Sequence, residues 1–299
     1  MEKVAEVELL AQGAVTGRWP VSVIIPVRNE AHNLRRCLEA LRNMGQVYVI
    51  DSQSTDATIE IAREFGAKVV QFHYRGGWPK KRQWAMDTLE FAYDWILLLD
   101  ADEVMTLELE AEIGQAIRDD RVAGYRICLQ MYFLGRALRH CDANFWKLSL
   151  FRRGKGRFEC RLKDQNASMA DMEVHEHVVV DGTTADLRHP LIHQNVESLA
   201  RYIQKHDEYS NWESRVLAHG EAASGELQPA LFGTQAQRRR WMKLRLFGIP
   251  GSPVLLFLYR YLFRFGFLDG VPGLIYCGFQ AVQMFHTKAK IYELKRDAR

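Results

Sequence analysis

The segment "WILLLDADEV", Trp95 to Val104, places three acidic residues directly after an apolar run. The apolar part has the length and composition of a buried β-strand. Asp100, Asp102 and Glu103 follow it at once. Ligands of open α/β sheets bind beyond the carboxyl ends of the strands, so the segment predicts an acidic binding site at a sheet edge.

Three earlier apolar runs also have the composition of buried strands, and helical patterns separate them. The runs are "VSVIIPV" (21–27), "VYVI" (47–50) and "AKVVQF" (67–72). "DSQSTDATIEIAREFG" (51–66) turns into a helix that ends at its glycine. Strands that alternate with helices pair in parallel through right-handed crossovers. The first hundred residues therefore predict a doubly wound sheet.

The pattern changes after residue 100. "GYRICLQMYFLG", "KLSLFRR" and "EVHEHVVV" predict strands without intervening helices, which indicates that the sheet becomes mixed. From Asn195 the apolar spacing is helical. We therefore predict an α/β domain over residues 1–225 and a C-terminal helical region over residues 226–299.

Composition limits the class of protein. The 299 residues are 47% hydrophobic and carry a net charge of +3, which suits one large domain with an appendage and names no partner. The five cysteines are scattered without a C-x-x-C pair, so a reducing compartment is favoured. The N-terminus lacks a signal-peptide pattern, and no apolar run reaches the roughly 20 residues of a spanning helix. We expect a cytoplasmic protein.

Polar segments follow three of the predicted strands. "PVRNE" (26–30), "DSQSTD" (51–56) and "DADE" (100–103) converge on one edge of the sheet. Carboxylates there can accept hydrogen bonds from a nucleotide, or hold a divalent cation that neutralises a diphosphate. Asp51 and Asp56 can instead cap the helix that follows, and for Asp56 this role is favoured.

Other enzyme classes fit less well. "LLLDADEV" matches the D-x-D-x-[TV] pattern of haloacid-dehalogenase phosphatases, with Asp100 as nucleophile and Asp102 as acid/base. In that fold the motif opens the domain, whereas three strand–helix units precede it here. There is no P-loop and no G-x-G-x-x-G after the first strand. "VHEH" lacks the H-E-x-x-H spacing of a zinc protease.

Together, "VSVIIPVRNEAHNLRRCLEAL", "VIDSQSTDATIEIA" and "WILLLDADE" resemble the family 2 inverting glycosyltransferases with the GT-A fold, over about residues 20 to 215. "VHEHVVVDG" and the helix after it are similar to the lipopolysaccharide-core branch of that family. The resemblance implies a GT-A mixed sheet flanked by helices, with a C-terminal helical extension.

The resemblance also implies roles for individual residues. Asp51 would bind the base, Asp100 would face the ribose or sugar, and Asp102 would hold Mg²⁺ or Mn²⁺ on the diphosphate. Lys80 and Arg82 would contact phosphate, although cations at a helix start are more often solvated. The residues that would line the nucleotide pocket are Pro26, Val27, Arg28, Asn29 and Glu30.

The chemistry needs a base on the acceptor side of the site. Displacing a diphosphate requires a deprotonated acceptor hydroxyl, which a carboxylate within hydrogen-bond reach supplies. Glu176 is the preferred candidate because it lies in a compact polar cluster before an apolar strand, and Asp171 and Glu173 are alternatives. If this segment is a strand, His175 and His177 point away from Glu176.

Three further residues near these motifs have open roles. Gln83 stands where family members often have Asn, so a contact between Gln83 and the sugar donor is left open. Trp146 and Arg152 are candidates for shaping the acceptor pocket, with core packing as the alternative for Trp146.

The C-terminal region is cationic and aromatic, without an acid from Leu227 to Leu268. Apolar segments with cations lie on anionic membranes, which suits a lipid-linked acceptor and a peripheral position on the inner face of the cytoplasmic membrane. A packed helical layer or a dimer interface is the alternative, and nucleic acid is disfavoured because no reading motif is present. The cations are Arg238, Arg239, Arg240, Lys243, Arg245, Arg260 and Arg264.

The sequence thus favours an inverting, metal-dependent transferase. It would move a sugar from a nucleotide-diphosphate sugar such as a UDP-hexose to a glycan or lipid-linked acceptor in lipopolysaccharide or cell-envelope polysaccharide biosynthesis. A D-x-D phosphatase and a catalytically silent nucleotide-sugar-binding protein are the alternatives.

Overall fold

The computed structural model describes residues 8–9, 19–161, 171, 173, 176–194, 198–218 and 227–297. The strands are β1 (Glu8–Leu9), β2 (Trp19–Val27), β3 (Met44–Asp51), β4 (Lys68–Gln71), β5 (Trp95–Leu98), β6 (Glu103–Met105), β7 (Gly124–Phe133), β8 (Arg136–Ala137), β9 (Phe145–Arg152), β10 (Gly156–Phe158), β11 (Val178–Val180), β12 (Thr184–Asp186) and β13 (Leu191–Gln194). The α-helices are α1 (Ala31–Glu39), α2 (Thr58–Glu64), α3 (Lys81–Thr88), α4 (Leu107–Ala116), α5 (Leu199–Ala218), α6 (Gln235–Phe247), α7 (Ser252–Leu258) and α8 (Gly270–Asp297). A π-helical turn (Tyr259–Phe263) and a 3₁₀ turn (Gly266–Asp269) join α7 to α8.

The main sheet is mixed, as predicted. Its order is β1-β4-β3-β2-β5-β9-β7-β13-β6, with β8 and β12 also paired to β7. Strands β4, β3, β2 and β5 are parallel, whereas β9 runs antiparallel to both β5 and β7. β10 and β11 form a separate antiparallel ribbon. The parallel part places the carboxyl ends of β2, β3 and β5 at one edge.

Both faces of the parallel part are buried, which explains its continuous apolar runs. Alternate residues of β2 face opposite layers, because side chains of a strand alternate between its two faces. Val23 and Ile25 pack with Leu34 of α1, and Ile24 packs with Trp84 of α3. The two layers fix the helices on either side of the sheet and so fix the loops at its edge.

One predicted element differs from the structure. Among the described residues of "EVHEHVVV", β11 alone is a strand, and Glu176 and His177 precede it, so alternation about Glu176 does not apply. His175 and the predicted helix start at Asn195 lie outside the described residues.

The boundary between the two predicted domains also lies outside the described residues. Helix α5 was assigned to the first domain, but it packs along α8. The C-terminal helical layer therefore includes residues that precede the predicted boundary.

Most of the seven C-terminal cations contact groups within the protein, and binding of this region to a membrane stays a prediction. Five of them contact groups far away in the sequence, which the local absence of acids concealed. The pairs are Arg239 with Asp142, Arg240 with Glu159, Lys243 with Glu213, Arg260 with the carbonyl of Cys141, and Arg264 with Asp142 at 3.9 Å. Every helix in the described part of the chain is too short or too polar to traverse a bilayer.

Candidate active site

The loops after β2 and β3 are fastened to each other. Asn29 has a φ of 55°, which asparagine tolerates better than most residues. Its side-chain oxygen accepts from the backbone N–H of Thr55 at 2.8 Å, and its own N–H donates to Ser54 Oγ at 2.8 Å. The N–H of Glu30 donates to Thr58 Oγ1 at 2.9 Å. The polar segments after these strands therefore form one rigid rim.

Asp51 lies beneath this rim rather than in the open cleft. Its carboxylate is buried and accepts from the N–H of Ser54 at 3.0 Å and from Gln71 Nε2 at 2.8 Å. Asp56 accepts from the N–H groups of Ala31 and Thr58, the first residues of α1 and α2, each at 3.1 Å, although Ala57 and not Asp56 is the N-cap residue of α2. Base recognition by Asp51 stays a prediction, and in this structure the side chain holds the loop.

Asp100 is held between two cations. Arg82 and Lys147 both contact its carboxylate, the latter at 3.1 Å, and Lys147 also lies 3.0 Å from buried Glu103. Burial disfavours the ionised form of Asp100, but Arg82 and Lys147 outweigh it and hold the pKa of this carboxyl well below its usual range. Asp100 is therefore a fixed anion at the end of β5.

Asp102 faces a histidine across the cleft edge. Its Oδ1 lies 3.4 Å from Nδ1 of His193, which extends from β13. That nitrogen is buried and makes no hydrogen bond to any described residue. A carboxylate oxygen and an imidazole nitrogen thus converge, which is a donor set that suits a divalent metal ion. No group of three or more such side chains occurs in the described residues.

The three cations at the start of α3 each contact a different acid. Lys80 lies 3.4 Å from Glu176, and Lys81 lies 3.0 Å from Asp171. Arg82 donates to the carbonyl of Glu173 at 2.9 Å besides holding Asp100. The predicted base candidates therefore lie together against α3.

Contacts separate the three base candidates. Glu173 accepts from the N–H groups of Arg82 and Gln83, at 3.2 and 2.9 Å, so it caps the N-terminus of α3. Its side chain is 0% exposed, and burial raises its pKa. Asp171 is 15% exposed and also bonded by Ser52, which follows β3. Glu176 is 0% exposed, and it lines the cleft as Asp171 and Glu173 also do.

Lys80 and Gln83 have structural contacts. The ammonium group of Lys80 lies 5.4 Å from the ring centroid of Trp212 on α5, and Lys80 does not line the cleft. Gln83 accepts from the N–H of Phe158 at 2.7 Å and donates to Asp87 at 2.8 Å. These contacts connect α3 to its neighbours and explain the burial of both residues.

Trp146 and Arg152 lie in different places. Trp146 lines the cleft, as predicted for an acceptor-side residue. Arg152 does not, because its guanidinium contacts Asp120 and lies 4.7 Å from the ring centroid of Trp95. The suggested acceptor role of Arg152 was therefore wrong.

One large cleft brings these groups together. Its volume is about 2020 Å³, and helices α5, α6 and α8 line the side opposite the strand ends. Small-molecule pockets commonly measure about 300–1,000 Å³, so this cleft has room for two substrates. The predicted residues that line it are Pro26, Arg28, Asn29, Glu30, Arg82, Asp100, Asp102 and Glu176. Val27 contributes its carbonyl, which accepts from Lys81 at 2.9 Å.

Sequence reasoning missed three residues of the cleft. Lys147 is a cation inside a largely apolar strand, and Lys81 lies between the two predicted phosphate contacts Lys80 and Arg82. His193 ends the run "PLIH" beside the edge strand β6. A polar residue inside an apolar strand was the available signal, but its partner becomes visible only in the fold.

Comparison with known proteins agrees with this geometry. Residues 22–168 match the family model "Glycosyl transferase family 2". The chain is 28% identical over 284 residues to the lipopolysaccharide core biosynthesis glycosyltransferase LpsC of Rhizobium meliloti (strain 1021), covering 92% of this chain and 93% of that protein. It is 35% identical over 113 residues to an uncharacterized glycosyltransferase of Rickettsia felis, covering 36% of this chain and 39% of that one.

A solved structure has the same fold. Mannosyltransferase PcManGT from Pyrobaculum calidifontis, in complex with GDP-Man and Mn²⁺, aligns with a TM-score of 0.50 at 14% identity. The alignment covers 95% of this chain and 90% of that one, so it includes the C-terminal helices. The predicted GT-A fold is confirmed.

Proposed function

This chain carries a family 2 glycosyltransferase domain with the GT-A fold, and we propose that it transfers a hexose with inversion from a UDP-sugar to a glycan or lipid-linked acceptor of the cell envelope. The observation that carries the proposal is the convergence of Asp100, Asp102 and Arg82 with the β2 loop on one cleft, which Glu176 also lines. Similarity to LpsC over most of both chains supports an acceptor in lipopolysaccharide core biosynthesis.

The strand ends supply the donor side. The loop after β2 is locked by Asn29, so its backbone can meet a nucleotide without reorganisation. Arg82 and Lys147 fix Asp100, whose carboxylate can then accept from ribose or sugar hydroxyls. Lys81 places a further positive charge beside the end of β2, where the diphosphate would lie.

A divalent metal fits the cleft at Asp102. Its carboxylate and the buried Nδ1 of His193 would hold Mg²⁺ or Mn²⁺, and diphosphate oxygens would complete the coordination, since Mg²⁺ commonly uses few protein ligands. The metal would supply Lewis-acid stabilisation of the leaving diphosphate. Arg82 and Lys147 already compensate Asp100, which leaves Asp102 as the carboxylate for the metal.

Glu176 is the proposed base because we place it on the acceptor side of the cleft. It faces Lys80, which contacts Trp212 on α5, and α5 belongs to the wall opposite the donor. Asp171 lies nearer the strand ends, since Lys81 and Ser52 hold it there. A carboxylate on the acceptor side can take the proton of the attacking hydroxyl.

The phosphatase alternative fits this geometry poorly. A nucleophilic Asp100 would have to attack phosphorus with a carboxylate already engaged by Arg82 and Lys147. The placement of the cleft between sheet edge and helices instead suits two substrates bound side by side. A lipid-linked acceptor would bring the protein to the inner face of the cytoplasmic membrane.

Calorimetry of the full chain with UDP, with and without Mn²⁺, tests the donor and metal sites. Asp102→Ala and His193→Ala should each weaken Mn²⁺-dependent UDP binding by about tenfold or more, because each removes a metal ligand. Electron paramagnetic resonance of bound Mn²⁺ gives an independent readout of both changes. Unaltered UDP affinity and an unaltered Mn²⁺ spectrum in both variants would remove the metal role.

Turnover separates the transferase from a silent binding protein. A radiolabelled UDP-hexose supplied with extracted lipid acceptors should yield labelled product with wild-type protein only in the presence of divalent metal. Tight UDP binding without transfer to any extracted acceptor would favour the silent binding protein instead.

A further inference from the structure

The segment from α7 to the start of α8 carries an unusual number of exposed apolar side chains. In the described part of the chain, 11 of the 20 exposed large apolar residues fall within residues 254–274. Phe263 is 72% exposed and Val271 67%. Helix α7, the two turns and α8 pack against one another. We call the exposed apolar side chains of this packed segment the outer apolar face.

This face is not an exposed core. The opposite side of the same elements is packed, with Tyr276 and Cys277 buried against Phe133 and Leu138. Apolar patches of this kind on a folded surface mark sites of interaction with a partner or a membrane.

The charges around the face are all positive. Within residues 227–292 the sole acid is Asp269, which is buried and accepts from the N–H groups of Arg139 and His140. Arg136, Arg139 and Arg264 are exposed, and Arg136 donates to the carbonyl of Leu268 at 3.4 Å, while Arg264 also lies 3.9 Å from the part-buried carboxylate of Asp142. The exposed charges that border these apolar side chains are therefore those of cations.

This charge pattern favours a membrane over a second copy of the chain as the partner of the outer apolar face. A symmetric pair of copies would bring the same cations together across the interface, with no exposed acid of the face to pair with them. A bilayer that contains anionic lipid offers the complementary charge together with an apolar interior.

We propose that the outer apolar face docks the protein on a membrane that contains anionic lipid, with its aromatic and aliphatic side chains among the acyl chains and Arg136, Arg139 and Arg264 at the headgroups. The docking element is thus the α7–α8 segment and not α6, whose Arg239, Arg240 and Lys243 bond within the protein. The functional reason for docking rests on the proposed lipid-linked acceptor, whereas the position of the docking surface does not depend on it.

Docking in this way would bring the cleft to the lipid. Helix α8 carries Val271 and Leu274 on the outer face, while Tyr276 and Gln280 line the cleft. Since a helix with its side chains is about 10 Å across, the cleft would lie about one helix diameter from the membrane surface. An acceptor sugar on a lipid carrier could then enter without leaving the bilayer.

Vesicle sedimentation of the full chain tests the proposal. We expect wild-type protein to bind phosphatidylcholine vesicles that contain phosphatidylglycerol, and to retain part of this binding at high salt. Phe263→Ser should lower the partition constant by roughly tenfold, because one buried aromatic side chain is lost. The matched control is Leu107→Ser, which changes a side chain 80% exposed on α4 and should leave binding unaltered.

Fluorescence locates the inserted surface. Brominated lipid should quench the added tryptophan of Phe263→Trp, and it should not quench that of Leu107→Trp. Arg264→Gln should weaken vesicle binding at low salt by several-fold and have little effect at high salt, where the attraction is screened.

Three results would overturn the proposal: wild-type protein that stays in the supernatant with these vesicles at low salt, equal effects of the two serine variants, or a concentration-dependent dimer without vesicles that Phe263→Ser abolishes. Mn²⁺-dependent UDP binding by Phe263→Ser should equal that of wild type. A failure of vesicle binding can therefore be distinguished from a failure of the proposed transferase function.

Discussion

The sheet edge and the C-terminal helical layer are both rich in charge, but at the sheet edge part of the charged groups also pair within a short stretch of sequence. There the partners are 3 residues apart for Asp51 and Ser54 and 18 apart for Arg82 and Asp100, whereas Lys147 and Asp100 are 47 apart and Arg82 and Glu173 are 91 apart. In the helical layer Arg240 and Glu159 are 81 residues apart. Polar residues that pair within a short segment are visible as a pattern in the sequence. When the partners come from distant segments, each segment by itself shows an excess of one charge.

The difference has a functional meaning. At the sheet edge most of the charged side chains line the cleft, where substrates would replace or extend their contacts. In the helical layer Arg240 is buried against Glu159 and fastens α6 to the segment after β10. The charges of the sheet edge are thus placed for binding, whereas Arg240, although it also lines the cleft, is held in an ion pair that anchors α6.

The largest expected effect concerns the sheet edge. Glu176→Gln should lower kcat by about 10²–10⁴-fold while UDP affinity is kept, because the amide cannot accept the acceptor's proton. Asp171→Asn is the matched variant, and it should act mainly on donor binding. Steady-state kinetics with calorimetry separates the two roles. A large loss of kcat in Asp171→Asn alone would move the base to that residue.

The next largest effect concerns the C-terminal helical layer. Arg240→Met should destabilise the protein by about 3–5 kcal/mol, because it leaves the buried carboxylate of Glu159 without its charge partner. The neighbouring Arg238 is exposed, and Arg238→Met should change stability by no more than about 0.5 kcal/mol. Urea unfolding of both variants measures the difference. Equal values would show that this pair does not anchor α6.

The smallest effect concerns the 3₁₀ turn that joins α7 to α8. Asp269 accepts from Arg139 N–H, His140 N–H and His140 Nδ1 at 3.1, 2.9 and 3.0 Å. Burial alone would raise its pKa, but the bonds to His140 and to the backbone outweigh burial and lower it. A lowered pKa means stability that is fully present above the unfolded value of about 3.9 and is lost as pH falls through the folded value.

Asp269→Asn should therefore cost about 1 kcal/mol at neutral pH, and the difference from wild type should shrink below about pH 4. Urea unfolding as a function of pH tests this dependence. A difference that stays constant into the acid range would mean that the ionised carboxylate contributes nothing beyond its shape.

The sequence by itself determined the sheet and its functional edge. Apolar runs of β2, β3 and β5 predict buried parallel strands, and the polar residues after them must meet at one edge because parallel strands end on the same side. Asp100, Asp102 and the loop at Asn29 were found in this way, together with the family resemblance. Each inference needed only residues close to one another along the chain.

The tertiary structure alone decided which charges are used within the protein and which face outward. Lys147 and His193 joined the site because β9 and β13 enter the sheet beside β5 and β6, a pairing that periodicity does not encode. Arg239, Arg240 and Lys243 turned inward because Asp142, Glu159 and Glu213 arrive from distant segments, and 11 large apolar side chains of residues 254–274 stayed outside. A linear sequence shows the charge of each residue, but its electrostatic partner depends on chain segments brought together only by folding.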